Sequence, residues 1–303
     1  MQLPESFRHT IKSVHGEKGE SWLDGFGELV RYCETKWGLR IVHPYDLTYN
    51  YVAAVRLEDG TEAALKLCVP NKESRSEEQA LRVYDGRGAV RVIDSEPDRG
   101  ILLMESVRPG YTLHKIQDDE EAMLAAAQVM KRLWRPAPTS VHAFPSVAGW
   151  TEGLQRLRLC FDGGTGPLPE RMVELAEITF EELLRTAGEP LLLHGDLHHG
   201  NLLAGGREPW IAIDPKGVIG EAEYEACALL TNNLPAYGQS IDILRNRVNV
   251  LASALGLDRA RILKWAMSFG VLSAFWCVED GVGDPMPSIA RAELFERLLS
   301  EVE

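Results

Sequence analysis

The chain predicts an α+β fold in two lobes, a small β-rich one followed by a larger, mainly helical one. Three observations lead there. Short β-rich runs cluster in the first third, around one amphipathic helix. Beyond Arg108-Pro109-Gly110 the apolar spacing becomes that of helices. The 303 residues suffice for two lobes and a sizeable core. The boundary falls near Ser106, with residues 1–105 as the N-lobe and 106–303 as the C-lobe.

The elements follow in order. Residues 21–37 carry Trp22, Phe26, Leu29, Val30 and Cys33 at helical spacing and stop at Gly38, a residue suited to ending a helix. Strands are expected over 39–44, 51–57 and 61–69, with Glu58-Asp59-Gly60 closing the last two into a hairpin. A helix over about 72–84 and strands over 89–93 and 100–105 complete the first lobe. In the second lobe the spacing predicts helices over 119–133, 148–160, 170–186, 220–230, 240–255, 259–278 and 288–301. Short strands near 191–193 and 210–213 interrupt them. Proline, glycine and small residues mark loops over 135–145 and 163–169. There is no internal repeat and no low-complexity tract.

Bulk properties narrow the function. The formal net charge of −13 opposes binding to nucleic acid, whose affinity rests on basic side chains at phosphates, and to anionic membranes. It suits a cationic small-molecule substrate, though many proteins are acidic for solubility alone. The opening MQLPESFRHT is not a basic segment followed by an apolar one, so no signal peptide is expected. The most apolar stretch, 265–278, is too short to span a bilayer and reads as a buried helix. Five scattered cysteines without a CxxC read as buried free thiols in a reducing, cytoplasmic setting. Nothing decides between a monomer and a dimer.

The chemistry concentrates in residues 194–203, HGDLHHGNLL. Asp196 is followed by Asn201, and Asp214 closes the apolar run WIAID. Transfer of the terminal phosphoryl group of ATP needs such a set. One carboxylate orients and deprotonates the attacking hydroxyl, while an amide oxygen and a second carboxylate hold Mg2+. The spacing of the three matches the eukaryotic-type kinase catalytic core. The surrounding letters, HGDLHHGN and IDPKG, differ from the protein-kinase forms HRD and DFG. No docking segment for a protein substrate follows Gly217, since GVIGEAEYEACALL runs into a helix. That argues for a small molecule.

Lys66 lies in AALKLCV, where alternation puts Ala64, Lys66 and Cys68 on one face and Leu65, Leu67 and Val69 on the other. A lysine among small residues leaves room for a nucleotide, with the amine on its phosphates. An ordinary surface lysine is the competing reading. Its carboxylate partner on the next helix is Glu77, which shares the inward stripe with Leu81 and Tyr84; Glu78 and Glu73 rank second and third. All three also suit a solvated helix start. The run GILLME ends at a hinge, with Met104 behind the adenine and backbone groups of Glu105 and Val107 at its edge; an ordinary connection between lobes reads the same way. The loop DLTYN lacks the glycines that often wrap phosphates.

Three histidines in the loop raise a zinc hydrolase as an alternative. The order HGDLHHG is neither HxHxDH nor HExxH, and zinc would leave Lys66, Asn201 and Asp214 without roles. His194 is expected to hold the loop by hydrogen bonds, His198 to lie near Asp196, and His199 to be exposed.

From about Asp46 to Val278, and most strongly in HGDLHHGN, IDPKG and GEAEYEACALL, the chain resembles the aminoglycoside phosphotransferase family, in its streptomycin 6-phosphotransferase and hydroxyurea phosphotransferase branch. The resemblance implies a protein-kinase-like fold with ATP between the lobes and ATP-dependent phosphorylation of an aminoglycoside hydroxyl, hence antibiotic resistance. It implies Asp196 as base, Asn201 and Asp214 on Mg2+, and Lys66 on the phosphates. Kinases of another small molecule (hydroxyurea-like, an amino alcohol or a sugar) and a non-catalytic nucleotide-binding protein remain alternatives. Streptomycin carries planar guanidinium groups that favour paired carboxylates. Glu221, Glu223, Glu225, Glu279 and Asp280 are therefore candidate lining for an acidic pocket, or else plain surface charges.

Overall fold

The computed structural model describes residues 3–138, 144–231, 234, 240–281 and 283–302. Of the loop expected over 135–145, residues 139–143 lie outside these. The chain forms two compact units, Met1–Arg108 and Pro109–Glu303.

The first unit is a five-stranded sheet with two helices. Helix α1 runs Glu5–Trp37, with Gly16 at φ 55° breaking its regularity. The sequence predicts only the part after Ser21. The earlier turns bury Phe7 and Ile11, one helical turn apart, among polar neighbours, too sparse a stripe to stand out. Strands β1 (Leu39–Pro44), β2 (Tyr51–Leu57) and β3 (Glu62–Leu67) follow, then helix α2 (Lys72–Tyr84), β4 (Val92–Glu96) and β5 (Ile101–Glu105). The sheet order is β1-β2-β3-β5-β4, antiparallel throughout. Strand β4 lies beyond its expected 89–93. Ala89 and Val90 are buried without being strand, and the edge strand runs on through Asp94, Ser95 and Glu96. Charged and polar residues at a sheet edge discourage further strand pairing.

Alternation divides the sheet chemically. Tyr51, Ala53, Val55, Leu65, Leu67, Ile101 and Leu103 pack into one core with Phe7, Ile11, Leu23, Phe26 and Cys33 of α1. The opposite face carries Ala54, Ala64 and Met104 in register across three strands, with Lys66 paired to Leu102 beside them. Helix α2 starts on a capping box, in which Asn71 and Ser74 bond each other's backbone N–H.

The second unit begins with β6 (Pro109–Thr112) and α3 (Asp119–Leu133), then β7 (Arg135–Pro136), α4 (Val147–Thr151) and α5 (Gly153–Cys160). The helix expected over 148–160 is thus two, meeting at Glu152. Helix α6 (Glu170–Arg185), strands β8 (Leu191–Leu193), β9 (Leu202–Gly205), β10 (Trp210–Ala212) and β11 (Val218–Gly220), and helices α7 (Ala222–Thr231), α8 (Ser240–Leu255), α9 (Arg259–Asp280) and α10 (Met286–Leu299) complete it. Its strands form two small sheets, β10-β9-β6 and β11-β8-β7. Helix α9 is the one described helix long and apolar enough to cross a membrane, and 61% of that stretch is buried inside the protein, against α6, α7 and α10. All five cysteines are free; Cys160 is exposed, contrary to the expected burial.

Candidate active site

In the first unit, Lys66 Nζ lies 2.7 Å from both carboxylate oxygens of Glu77, and both side chains are buried. Two short charged contacts out of water fix the amine in place. Of the three carboxylates offered by the sequence, Glu78 instead binds Arg82 and Ser95, and Glu73 is a nearby charge on His15. Met104 is buried opposite Ala64, on the face that carries Lys66. The Glu105 N–H donates to the Arg91 carbonyl at 2.9 Å, so a ligand contact there falls to its carbonyl oxygen. Val107 is half-buried beyond the end of β5.

In the second unit, the loop between β8 and β9 holds Asp196 and Asn201, and the β10–β11 connection holds Asp214. Ladder pairing brings the two segments together. The Ile213 N–H donates to the Asn201 carbonyl at 3.0 Å, continuing the β9–β10 register and setting Asn201 opposite Ile213, the residue before Asp214. The Asn201 side-chain N–H donates to the Asp196 carbonyl at 2.9 Å, which fixes the amide and leaves its oxygen as the acceptor end of the side chain. Asp214 sits at φ 61°, a left-handed backbone that aspartate tolerates at a cost of roughly 1 kcal/mol. Such an outlier marks a position the surroundings over-determine.

His194 fastens the two segments. Its Nε2–H donates to the Ile213 carbonyl at 2.9 Å, and its Nδ1 accepts the Asp196 N–H at 3.2 Å. Its own carbonyl accepts from Lys216 and Gly217. The ring must be neutral to do both, and burial pushes its pKa down to about 4. Below it, Glu225 accepts the His194 N–H at 2.7 Å and the Gly195 N–H at 2.9 Å, one on each oxygen. Burial pushes the Glu225 carboxyl up to about 7, against the pull of those N–H groups. Gly195 is required: φ is +80°, and a Cβ there would lie 2.6 Å from Val218 Cγ1.

The other two histidines differ in what they contact. His198 Nδ1 accepts the Gly200 N–H at 3.0 Å, and its Nε2 stands 4.0 Å from Asp196 Oδ2, too far for a hydrogen bond. His199 is buried, not exposed as expected, and tilts against His114 at 5.4 Å between ring centres. Among the described residues no three His, Cys, Asp or Glu side chains group to hold a metal ion.

The acidic lining proposed from the sequence is largely occupied. Glu221 binds Arg261, the Trp265 indole and the Gly188 N–H. Glu225 braces the loop, and Glu279 is bidentate on Arg156 at 2.8 and 3.2 Å. The sequence missed the brace, because a glutamate in an acidic helix looks like a solvated one until its burial is known. It also missed Trp150, whose ring reaches Gly195 from α4; nothing in its local sequence signals that.

A buried lysine–glutamate pair on a β-rich unit, and an aspartate–asparagine–aspartate set on a helical one, define a small-molecule phosphotransferase of the protein-kinase-like fold. The solved structures share that fold. An aminoglycoside phosphotransferase bound to ADP and hygromycin B superposes with a TM-score of 0.60, covering 90% of this chain and 98% of that one at 13% identity. A choline kinase from Streptococcus pneumoniae gives 0.61, covering 90% and 99%, also at 13% identity. Relatives at higher identity define the family. A hydroxyurea phosphotransferase from Kitasatospora aureofaciens is 38% identical over 97% of this chain and 86% of its own. A streptomycin 6-kinase from Streptomyces griseus is 31% identical over 97% and 96%. The aminoglycoside/hydroxyurea antibiotic resistance kinase family matches residues 40–281, and the chain belongs to it.

Proposed function

We propose that the protein transfers the γ-phosphoryl group of ATP, with Mg2+, to a hydroxyl of a small cationic acceptor, an aminoglycoside of the streptomycin type. The observation that carries this reading is the bonded junction of the two loops, Ile213 N–H to the Asn201 carbonyl and Asn201 amide to the Asp196 carbonyl. It joins the backbones of Asp196, Asn201 and Ile213, the residue before Asp214, and Asp196 keeps a half-exposed carboxylate. Identity of 31% to a streptomycin 6-kinase supports the acceptor. Hydroxyurea is the second reading, favoured by the 38% identity to a hydroxyurea phosphotransferase.

Each residue has a task in this reading. The Asp196 carboxylate accepts the proton of the attacking hydroxyl. Its backbone is held on both sides, by His194 at its N–H and by Asn201 at its carbonyl, so its position is set before the acceptor arrives. The Asn201 amide oxygen and the Asp214 carboxylate are the hard donors that Mg2+ prefers, few enough to leave it room for phosphate oxygens and water. When bound, Mg2+ neutralises charge on the phosphates. Lys66, aimed by Glu77, adds a positive charge to the phosphates. Backbone atoms of Glu105 and Val107 take the adenine edge, with Met104 behind it.

The experiment is coupled ADP release across streptomycin, hydroxyurea and common aminoglycosides, with and without Mg2+. Asp196→Ala lowers kcat by about 100- to 10,000-fold, the usual worth of a general base, and leaves ATP binding intact by titration. Unchanged turnover in that variant removes Asp196 from the chemistry.

A further inference from the structure

The carboxylates that would recognise a guanidinium by charge are mostly engaged, yet the ground beside Asp196 is not bare. Four aromatic rings from three helices meet there. Trp150 of α4 lies 5.9 Å from Trp276 of α9 and 6.1 Å from Tyr224 of α7, between ring centres. Phe269, two turns before Trp276 on α9, lies 6.0 Å from Trp276 and 5.9 Å from Tyr224. Most of these crossings are edge-to-face, so the rings stand at angles to one another in one cluster, called the shelf. Trp150, Phe269 and Trp276 keep part of their surface open, and Tyr224 is buried beneath them.

Three facts tie the shelf to the acceptor. A Cβ built at Gly195 would lie 3.3 Å from Trp150 Cη2, so the indole edge abuts the residue before Asp196. The Asp196 charge is among those that raise the Tyr224 hydroxyl. That hydroxyl is buried and has no hydrogen-bond partner among the described residues, so the floor of the ring cluster holds an unsatisfied polar group.

We infer that Trp150, Phe269 and Trp276 form the acceptor subsite, which takes a planar guanidino or urea group adjoining the hydroxyl to be phosphorylated. This rests on the phosphotransfer reading and deepens it. A flat, Y-shaped group of three heteroatom-bearing bonds stacks on an indole face whether charged or neutral, and a charged one gains the cation–π attraction as well. Hydroxyurea carries the neutral form and streptomycin the charged one, so one shelf serves both kinds of acceptor that the family's relatives name. Glu221, Glu225 and Glu279 are held by Arg261, the loop N–H groups and Arg156, so three of the five candidate carboxylates already have partners, and the ring faces lie next to the base.

The test compares Trp150→Leu and Trp276→Leu with Trp150→Phe and Trp276→Phe in the full chain. Streptomycin and hydroxyurea are the shelf acceptors, and kanamycin, which has amines but neither planar group, is the control. The leucine variants should raise KM for streptomycin by about tenfold or more and for hydroxyurea by a smaller factor, with KM for ATP unmoved. The phenylalanine variants should recover most of the loss. Calorimetric titration of streptomycin into nucleotide-free protein should lose affinity in the same order. That arm separates the two readings: binding that the leucine variants weaken, without ADP release from any acceptor, keeps the shelf and removes the phosphotransfer assignment. Competition by methylguanidine but not methylammonium against streptomycin binding to the wild type supports the shelf with no substitution at all. Leucine variants whose KM and affinity for both planar acceptors stay within about twofold, or kanamycin bound as tightly as streptomycin, overturn it.

Discussion

Glu225 is the side chain whose state most directly governs the catalytic loop. It holds two consecutive backbone N–H groups, at His194 and Gly195, immediately before Asp196. It does so fully out of water, which raises its pKa from 4.5 to about 7. The sign of the pH effect follows. Below pH 4.5 the carboxyl is protonated both folded and unfolded, and contributes no pH dependence. Between 4.5 and about 7 the folded protein keeps a proton that the unfolded chain has released, so stability falls as pH rises. Above about 7 the loss is complete, at about 3 kcal/mol for a shift of that size. Glutamine at 225 has no proton to lose. The stability of Glu225→Gln relative to wild type should therefore improve by up to about 3 kcal/mol between pH 4.5 and pH 8. The lost oxygen acceptor lowers stability equally at both values and cancels in the comparison. Urea denaturation of both proteins at the two pH values measures it, and an identical difference at each would show that Glu225 is not the buried acid. The loop motif itself stood out in the sequence, because the chemistry proposed for Asp196, Asn201 and Asp214 fixes their types and spacing. The brace was not plain, because its role lies in burial by α7, which no local pattern reveals.

Legibility at the level of elements follows how strongly each one is patterned. Helices α3 and α8 fall where apolar spacing places them, since both show a continuous inward stripe. The short strands β6, β7, β9 and β11 were not read, because two to four residues cannot display a period. Yet the pairing of β9 with β10, and of β8 with β11, is what sets the site. The first turns of α1 were missed for a different reason. Gly16 interrupts the helix, and only Phe7 and Ile11 mark its buried face. Those two still matter to the first unit. Phe7, Trp22, Phe26 and Tyr51 form a chain of ring contacts at 6.4, 5.1 and 4.9 Å that ties the early turns of α1 through its later part to β2. Phe7 is 1% exposed. Phe7→Ala should cost about 3–5 kcal/mol, the usual range for a fully buried phenylalanine. Phe7→Leu should cost much less, because it keeps most of the volume. Thermal or urea unfolding of both variants reads the difference. A loss under about 1 kcal/mol for Phe7→Ala would mean that the turns before Gly16 contribute little to the core.

Across the whole molecule, the net charge of −13 makes a prediction that separates steering from stacking. An acidic surface raises the local concentration of cations and their rate of encounter, and salt weakens this as the screening length shrinks from about 10 Å at 0.1 M to about 3 Å at 1 M. Ring faces in partial burial respond far less, because their attraction acts at contact distance with water largely displaced. Streptomycin is cationic and hydroxyurea neutral, so the two acceptors report different parts of the protein. Raising NaCl from about 0.05 to about 0.5 M should lower kcat/KM for streptomycin by about tenfold. The value for hydroxyurea should change only as far as the nucleotide half of the reaction does. Measuring both acceptors with the same enzyme at saturating ATP removes that shared part. The ratio of the two kcat/KM values then isolates the acceptor's charge. A ratio that holds constant across the salt series would mean the acidic surface plays no part in bringing the acceptor to Asp196. In that case the aromatic rings and the loop geometry alone would account for its recognition.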